Sequence, residues 1–199
     1  MRKILIIIPA RYKSSRFPGK PLKKILGREL VLRVADRCKT LVSKKNLIIA
    51  TDNNLISKVV KKENFNTIMT SSRCLTGTDR VAEVARKINS KIYVNVQGDE
   101  PLVRPSDIRK IITNKKKFPN HVICGYAKIT DKESKKSKNT PKVIFNKKNE
   151  LIYISRALIP SEKIESNKNI YFKQVCIYAF NKSELKKFSQ LSKKTNLEK

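Results

Sequence analysis

The chain has 199 residues, of which 46 are basic and 16 acidic, so its formal net charge at pH 7 is +30. This length is enough for one domain with a hydrophobic core, and 39% hydrophobic with 31% charged residues is typical of a soluble globular protein. No apolar run approaches the roughly 18 residues of a membrane span, and the first apolar run is too short for a signal peptide. We therefore expect a cytoplasmic protein with no membrane partner.

Strands and helices alternate over the first 120 residues or so. The patterns predict strands at 3–8, 46–52 and 66–70, and at 92–101 a strand that runs into a Gly-Asp-Glu-Pro turn. They predict helices at 24–41, 54–64, 78–88 and 105–115, the third helix with Thr78 as its N-cap. This alternation is typical of βαβ units with right-handed crossovers, which build a parallel sheet. Ligands of such sheets bind at the carboxyl ends of the strands.

Beyond that point the pattern changes to strands. We predict a strand at 122–129, a polar loop at 131–141, a hairpin at 142–156, a strand at 171–180 and a final helix that begins with an Asn or Ser cap. The fold class is therefore α/β, with a Rossmann-like, mostly parallel sheet and a small antiparallel β element. We expect one compact domain overall, with an α/β body at 1–130 and the antiparallel element and return to the sheet at 131–199.

The loop after the first strand, "PARYKSSRFPGKPL", carries Arg11, Arg16 and Lys20. A loop at the carboxyl edge of a sheet presents backbone N–H groups and the positive end of a helix dipole to an anion. The segment matches neither the GxxxxGK[ST] nor the GxGxxG pattern. We interpret it as an anion site of another kind; a basic turn on a lysine-rich surface is the alternative.

The motif "VQGDEP" places Asp99 just past a predicted central strand, at the same edge as the first loop. Its carboxylate could hold Mg²⁺ against phosphates that Arg11 and Lys20 contact, which predicts a site for a metal and a nucleoside triphosphate. The alternative is that Asp99 and Glu100 only occupy a turn. "ATD" at 50–52 and "TGTD" at 76–79 could recognise a base edge, but Asx turns and N-caps look the same.

The remaining residues with reactive side chains are few. The single histidine, His121, is predicted to be structural, and the cysteines, at positions 38, 74, 124 and 176, are predicted to be separate reduced thiols because they lack metal-ligand spacing. The lysines are spread over predicted loops and helix faces with few aromatic residues among them. We therefore do not expect a nucleic-acid partner, although a polyanion-binding surface stays open.

Seven segments together resemble the 3-deoxy-manno-octulosonate cytidylyltransferases, or CMP-Kdo synthetases. In order, they are "PARYKSSRFPGKPL", "ATD", "TGTDRVAEV", "VNVQGDEP", "PKVIF", "LIYISRALIP" and "IYAF", and the match runs from residue 3 onward. The resemblance implies a nucleotidyltransferase sheet and transfer of CMP from CTP to Kdo, with release of pyrophosphate, for lipopolysaccharide or capsule synthesis. It also implies Mg²⁺ as cofactor, and a homodimer that forms through the antiparallel element.

The resemblance also assigns residues to roles. The implied nucleotide-binding residues are Pro9, Ala10, Arg11, Arg16, Lys20, Thr51, Asp52 and Thr78. The implied catalytic residues are Arg11, Lys20 and Asp99, of which Asp99 is the metal ligand. The implied sugar-acid-binding residues are Arg80, Gln97, Arg156, Gln174 and Tyr178.

The chain departs from the family pattern in three places. Cys74 stands where relatives commonly have His, and Gln174 and Cys176 fall in a segment that is commonly HxG. These changes leave the acceptor open, with another ulosonic acid as the alternative. The chain also ends before a late "DTPED"-like turn that supplies a second metal ligand in relatives. We therefore expect a fragment or truncated product with impaired activity, or a metal completed by other ligands. A non-catalytic nucleotide- or RNA-binding homologue is the remaining alternative.

Overall fold

The computed structural model describes residues 2–13, 17–161 and 169–190. The chain divides into two compact units, and each is described by itself. Unit one consists of Met1–Ile123 and Ile177–Lys199, and unit two is Cys124–Cys176. The described residues contain no helix that is both long and apolar enough to cross a bilayer.

The helices and strands follow one another in an order that confirms the predicted alternation. The strands are β1 (Arg2–Ala10), β2 (Lys24–Ile25), β3 (Arg28–Glu29), β4 (Leu47–Thr51), β5 (Asn66–Met69), β6 (Ser90–Val96), β7 (Ile123–Lys128), β8 (Lys142–Phe145), β9 (Leu151–Ser155) and β10 (Phe172–Phe180). The helices are α1 (Leu30–Cys38), α2 (Asn54–Lys62), α3 (Gly77–Lys87), α4 (Pro105–Lys117) and α5 (Lys182–Ser189).

The sheet of unit one has the strand order β5-β4-β1-β6-β10. β1 pairs in parallel with β4 and β6, β4 pairs in parallel with β5, and the end of β10 pairs antiparallel with β6. Residues 5–8 of β1 are completely buried, as is typical of a central strand that is covered on both faces. Because β1, β4 and β6 run the same way, the loops that follow them leave from one edge.

The helices of unit one begin at side-chain caps that the sequence predicts only in part. At α3 the N-cap is Thr76 and not Thr78, because the Thr76 side chain accepts from Asp79 N while the Asp79 carboxylate accepts from Thr76 N. At α5 the N-cap is Asn181, which forms the same kind of reciprocal box with Glu184. The predicted Asn or Ser cap is therefore confirmed for α5, whereas the N-cap of α3 lies two residues earlier than predicted.

The predicted helix at 24–41 is wrong over its first six residues. These residues form the hairpin of β2 and β3, whose turn places Leu26 at φ 47° and Gly27 at φ 77°. Both values lie in the left-handed region, which glycine adopts without strain and which does not continue a helix. The helix α1 therefore begins only at Leu30.

Within unit one, a buried ammonium group connects α4 to α5. Lys115 is 1% exposed, and its Nζ donates to the carbonyl oxygens of Pro119 and His121 and to both carboxylate oxygens of Glu184, all at 2.7–3.0 Å. A buried charge is tolerated when it is paired and its donors are satisfied. The end of α4, the turn after it and the start of α5 are thus held together at one point.

Unit two is antiparallel, as predicted. Within it β9 pairs with β8, β8 pairs with β10, and β7 also pairs with β10. The rings of Tyr126, Phe145 and Phe172 pack with centroids 4.5–5.6 Å apart. The Lys142 ammonium is buried and donates to the carbonyl oxygens of Ser137, Thr140 and Arg156, and burial lowers its pKa. Since one side chain satisfies three carbonyls, it fixes the polar loop before β8.

Candidate active site

The first side of the candidate site is the loop after β1. Pro9 and Ala10 end the buried strand, and Arg11 is exposed just beyond it. The loop closes where Gly19 N donates to Tyr12 O at 2.9 Å, with Gly19 at φ 70°. A short 3₁₀ helix, Lys20–Leu22, follows at once, so the loop is anchored at both ends. Arg16, predicted to assist here, lies outside the described residues.

The second side is the turn after β6, which contains Gly98 and Asp99. A Cβ atom added to Gly98 would lie 2.7 Å from the carbonyl oxygen of Pro9, closer than real Cβ atoms approach a backbone oxygen. Only glycine therefore allows the turn to sit against the end of β1. This contact explains why the motif carries glycine immediately before its carboxylate.

The two sides meet through Lys20 and Asp99. Lys20 Nζ donates to Asp99 Oδ2 at 2.6 Å, across 79 positions of sequence, and the two side chains are 40% and 49% exposed. The pair is thus open to solvent, where an ion pair by itself contributes little stability. A cation and a carboxylate held at one solvent-open point can instead contact a phosphate chain and its counter-ion.

Asp52, at the end of β4, connects the first loop to α3. Its Oδ1 accepts from Tyr12 N at 3.3 Å, and its Oδ2 accepts from Arg80 at 2.6 Å. Arg80 is 2% exposed and also donates to Thr70 Oγ1 at 2.6 Å. The guanidinium is therefore engaged inside unit one, and its assignment to the sugar acid stays a prediction.

A polar chain crosses the end of β6. Gln97 Nε2 donates to Asn95 Oδ1, and Asn95 Nδ2 donates to Thr78 Oγ1, each at 3.4 Å. Tyr178 of β10 pairs with Asn95 in the sheet register. The structure thus brings Thr78, Gln97 and Tyr178 to one region of unit one. Asn95 was not predicted, although an Asn inside the apolar run "IYVNV" is a signal that could have found it.

Arg156 and Gln174 belong to unit two. The Arg156 side chain donates to Lys138 O at 2.9 Å, and its carbonyl accepts from the buried Lys142. Gln174 N donates to Pro141 O at 2.9 Å, and its side-chain Nε2 lies 3.8 Å from Cys124 Sγ. Both residues are therefore tied to the polar loop or to β7, and their assignment to the sugar acid stays a prediction.

Cys74, the first departure from the family pattern, lies beside a carboxylate of α3. Its Sγ is 3.6 Å from Glu83 Oε2, and burial raises the pKa of its thiol, an effect that the charge of Arg80 opposes and that of Glu83 reinforces. Glu83 also accepts from Ser71 N and Lys87 Nζ at 2.8 and 3.0 Å. The thiol thus donates to an acceptor that is already well bonded, which is a structural role.

The fold is that of a nucleotidyltransferase. The cytidylyltransferase family matches residues 5–199. Two curated relatives, the 3-deoxy-manno-octulosonate cytidylyltransferases of Escherichia coli and Protochlamydia amoebophila, are 35% and 37% identical; the alignments cover 96% and 95% of this chain and 77% and 76% of theirs. The chain belongs to the cytidylyltransferase family and, within it, to the 3-deoxy-manno-octulosonate cytidylyltransferases.

A solved structure gives the same result in three dimensions. It is that of a CMP:2-keto-3-deoxy-manno-octonic acid synthetase complexed with CTP, and it is 35% identical to this chain with a TM-score of 0.86. The superposition covers 97% of this chain and 80% of that one. The family that the sequence motifs indicated is therefore confirmed.

Proposed function

We propose that this protein is a cytidylyltransferase that transfers CMP from CTP to 3-deoxy-manno-octulosonate, releasing pyrophosphate. The observation that carries the proposal is the contact of Lys20 with Asp99, which joins the basic first loop to the carboxylate turn at the carboxyl edge of the sheet. Membership of the family and the CTP-bound relative support cytidine triphosphate as donor. We place the activity in the cytoplasm, as a step in the synthesis of lipopolysaccharide or capsule.

The proposed reaction is a direct displacement at phosphorus. The oxygen of the anomeric hydroxyl of the sugar acid forms a bond to the α-phosphorus of CTP and its proton passes to solvent water. The bond from that phosphorus to the α,β-bridging oxygen breaks, and pyrophosphate leaves. No covalent enzyme intermediate is needed, so the protein acts by alignment and by neutralising charge. Arg11 and Lys20 neutralise the triphosphate and the leaving pyrophosphate.

Mg²⁺ fits the residues present. Asp99 is half exposed, and Lys20 contacts only one of its two carboxylate oxygens in the described bonds. Proteins commonly hold Mg²⁺ by one or two carboxylates together with phosphates and water, and Asp99 can supply such a carboxylate. When bound, Mg²⁺ would neutralise and orient the phosphate oxygens.

Gln97, Arg80 and Tyr178 of unit one are proposed as sugar-acid-binding residues, whereas the same role for Arg156 and Gln174, which belong to unit two, rests on the resemblance alone. An arginine is suited to the substrate carboxylate because its planar guanidinium can donate two parallel hydrogen bonds. Asn95 holds Gln97 and Thr78 in place from its buried position in β6. We therefore add Asn95 as a positioning residue for this side of the site.

The test of the site is the variant Lys20→Met. We expect kcat/KM for pyrophosphate release from CTP, with Kdo and Mg²⁺, to fall by about 100-fold or more, because a charge that stabilises the transition state is removed. The matched control is Lys91→Met, which removes an exposed lysine of β6, on the same unit. Circular dichroism melts of both variants verify folding. Activity of a folded Lys20→Met within a few-fold of wild type would disprove the assignment of the first loop.

The same assay with other ulosonic acids tests the acceptor. A higher kcat/KM with a nine-carbon acid than with Kdo would move the proposal to that substrate. No pyrophosphate release with any acceptor, together with salt-sensitive RNA binding, would favour a non-catalytic homologue.

We also propose that the protein is a homodimer that pairs through β9 of unit two. Leu151, Ile152 and Tyr153 are consecutive residues of this edge strand and are all exposed, Ile152 at 64%. An exposed apolar edge strand is a surface that soluble proteins cover, and a second copy of the chain would cover it.

The variant Ile152→Lys tests the dimer. We expect the molar mass from light scattering to fall from two chains to one, because a charge would be buried in the pair. Lys148→Glu, in the adjacent turn, is the control and should leave the mass unchanged. A wild-type chain that is monomeric at micromolar concentration would overturn this proposal while leaving that of the activity intact.

A further inference from the structure

Two of the four cysteines lie on neighbouring strands of unit two. Cys124 is in β7 and Cys176 is in β10, and these two strands pair with each other. The sequence, in which the two cysteines are 52 positions apart, predicted two separate thiols. The fold instead brings them to the same part of one sheet.

The register of the two strands follows from two contacts. Ile129 N donates to Tyr171 O at 2.8 Å, and a Cβ atom added to Gly125 would lie 3.1 Å from Val175 Cβ. From the first contact to the second, the residue number falls from 129 to 125 along β7 and rises from 171 to 175 along β10. The two strands are therefore antiparallel. Extending the register by one residue places Cys124 directly opposite Cys176.

Residues directly opposite in an antiparallel pair point to the same face. The contact of Gln174 Nε2 with Cys124 Sγ supports this placement, because Gln174 and Cys176 share a face of β10. The bond between Ile129 and Tyr171 makes Cys124 and Cys176 a pair without backbone hydrogen bonds, for which Cα atoms are about 4.5 Å apart. Disulfides span Cα distances of about 4.4–6.8 Å. The two thiols can therefore be joined without moving the strands apart.

We propose that Cys124 and Cys176 are an oxidative modification site, a cross-strand dithiol that a low-molecular-weight disulfide converts to a protein disulfide. In the first step one thiolate attacks the reagent, forms a mixed disulfide and releases one small thiol. In the second step the other cysteine, as thiolate, attacks the mixed disulfide and releases the second small thiol. The two cysteines lose two protons and two electrons, and the reagent is reduced to two thiols.

The other two cysteines provide internal comparisons. Cys38 is completely buried, and burial raises its pKa to about 12, so it does not react while the chain is folded. Cys74 is partly exposed beside Glu83, and the pKa of its thiol is raised as well. Burial also raises the pKa of Cys124, which makes the exchange slow near neutral pH. The comparison is therefore made at mildly alkaline pH.

The experiment treats the full chain with glutathione disulfide and follows intact mass and linked peptides, at times when Cys38 is still unmodified. We expect wild type to lose two hydrogens and to give one peptide pair that contains Cys124 and Cys176. The variant Cys124→Ser should instead keep glutathione on Cys176. Because the second step is intramolecular, wild type should retain about tenfold less adduct at this position than the variant.

A second measurement needs no variant. Phenylarsine oxide condenses with two adjacent thiols and releases water, so wild type should bind one equivalent of the arsenical. An added dithiol should remove the bound arsenical, whereas an added monothiol should not. The proposal is overturned if wild type retains glutathione on either cysteine as the variant does, or if the arsenical does not bind. Linkage of either cysteine to Cys38 or Cys74 would overturn it too.

Discussion

Gly98 decides how closely the two sides of the site approach. The space beside it is closed by the backbone of Pro9, which cannot rotate away as a flexible side chain can. The turn that carries Asp99 is therefore seated on the end of β1 itself. A change at this one position acts on the whole turn.

The variant Gly98→Ala tests this seating. We expect a loss of about 1–3 kcal/mol in the free energy of unfolding, since the added methyl group must displace backbone. Activity should fall further than stability explains, because Asp99 moves away from Lys20. The measurements are urea unfolding and pyrophosphate release.

Gly27→Ala is the matched control for Gly98→Ala. Gly27 has open space around it, and its φ of 77° alone disfavours alanine there. It should lose stability while retaining activity. Equal losses of activity in the two variants would contradict the role given to the turn.

The sequence predicted that the first loop and the Asp99 turn lie at one edge of the sheet, but it did not predict every side-chain contact there. Lys20 and Asp99 were predicted to face one edge because both follow strands of a parallel sheet, and they are in contact. The pairing of Arg80 with Asp52 was not predicted, because it depends on how the start of α3 packs against the end of β4. A sequence motif shows which strand end a residue follows. Which side chains it contacts depends on how the helices and strands pack, and this is seen only in the structure.

At the scale of the helices, the start of α3 can be tested by two threonines. Thr76→Ala removes the acceptor of Asp79 N and should lower the free energy of unfolding by about 1 kcal/mol. Thr78→Ala removes only a bond of 3.4 Å from Asn95 and should cost less. Thermal unfolding of the two variants measures the difference. A larger loss for Thr78→Ala would restore the predicted cap.

The hairpin of β2 and β3 shows where periodicity misleads. The apolar residues of 24–41 repeat at helical spacing only from Leu30 onward. The segment before them contains Gly27, and a pattern of apolar spacing takes no account of a glycine. In the resulting turn Leu26 lies at the tip and is 92% exposed. The apolar character of Leu26 therefore does not indicate that this segment is buried. A glycine near the start of a predicted helix thus indicates that the helix begins after it.

For the whole molecule, charge is the dominant surface property. With 46 basic and 16 acidic residues, the basic side chains outnumber the acidic ones almost threefold. Like charges at this density repel one another in the compact state, and salt screens the repulsion.

We therefore expect the melting temperature to rise by several degrees when sodium chloride is raised from about 0.01 M to about 0.2 M, over which the Debye length falls several-fold. Differential scanning calorimetry measures the change, with sucrose of equal osmolality as the control. A melting temperature that falls with salt would show that attractive pairs outweigh the repulsion.

The order of synthesis has a consequence for β6. Its neighbour β10 completes the sheet of unit one, but residues 177–180, the part of β10 that pairs with β6, are translated only after the whole of unit two, more than 75 positions later. Until then the nascent chain holds an apolar strand with one row of backbone N–H and C=O groups unpaired, which is the kind of edge that recruits other chains. We therefore expect the yield of the native sheet to depend on the speed of translation through unit two and on the availability of a chaperone.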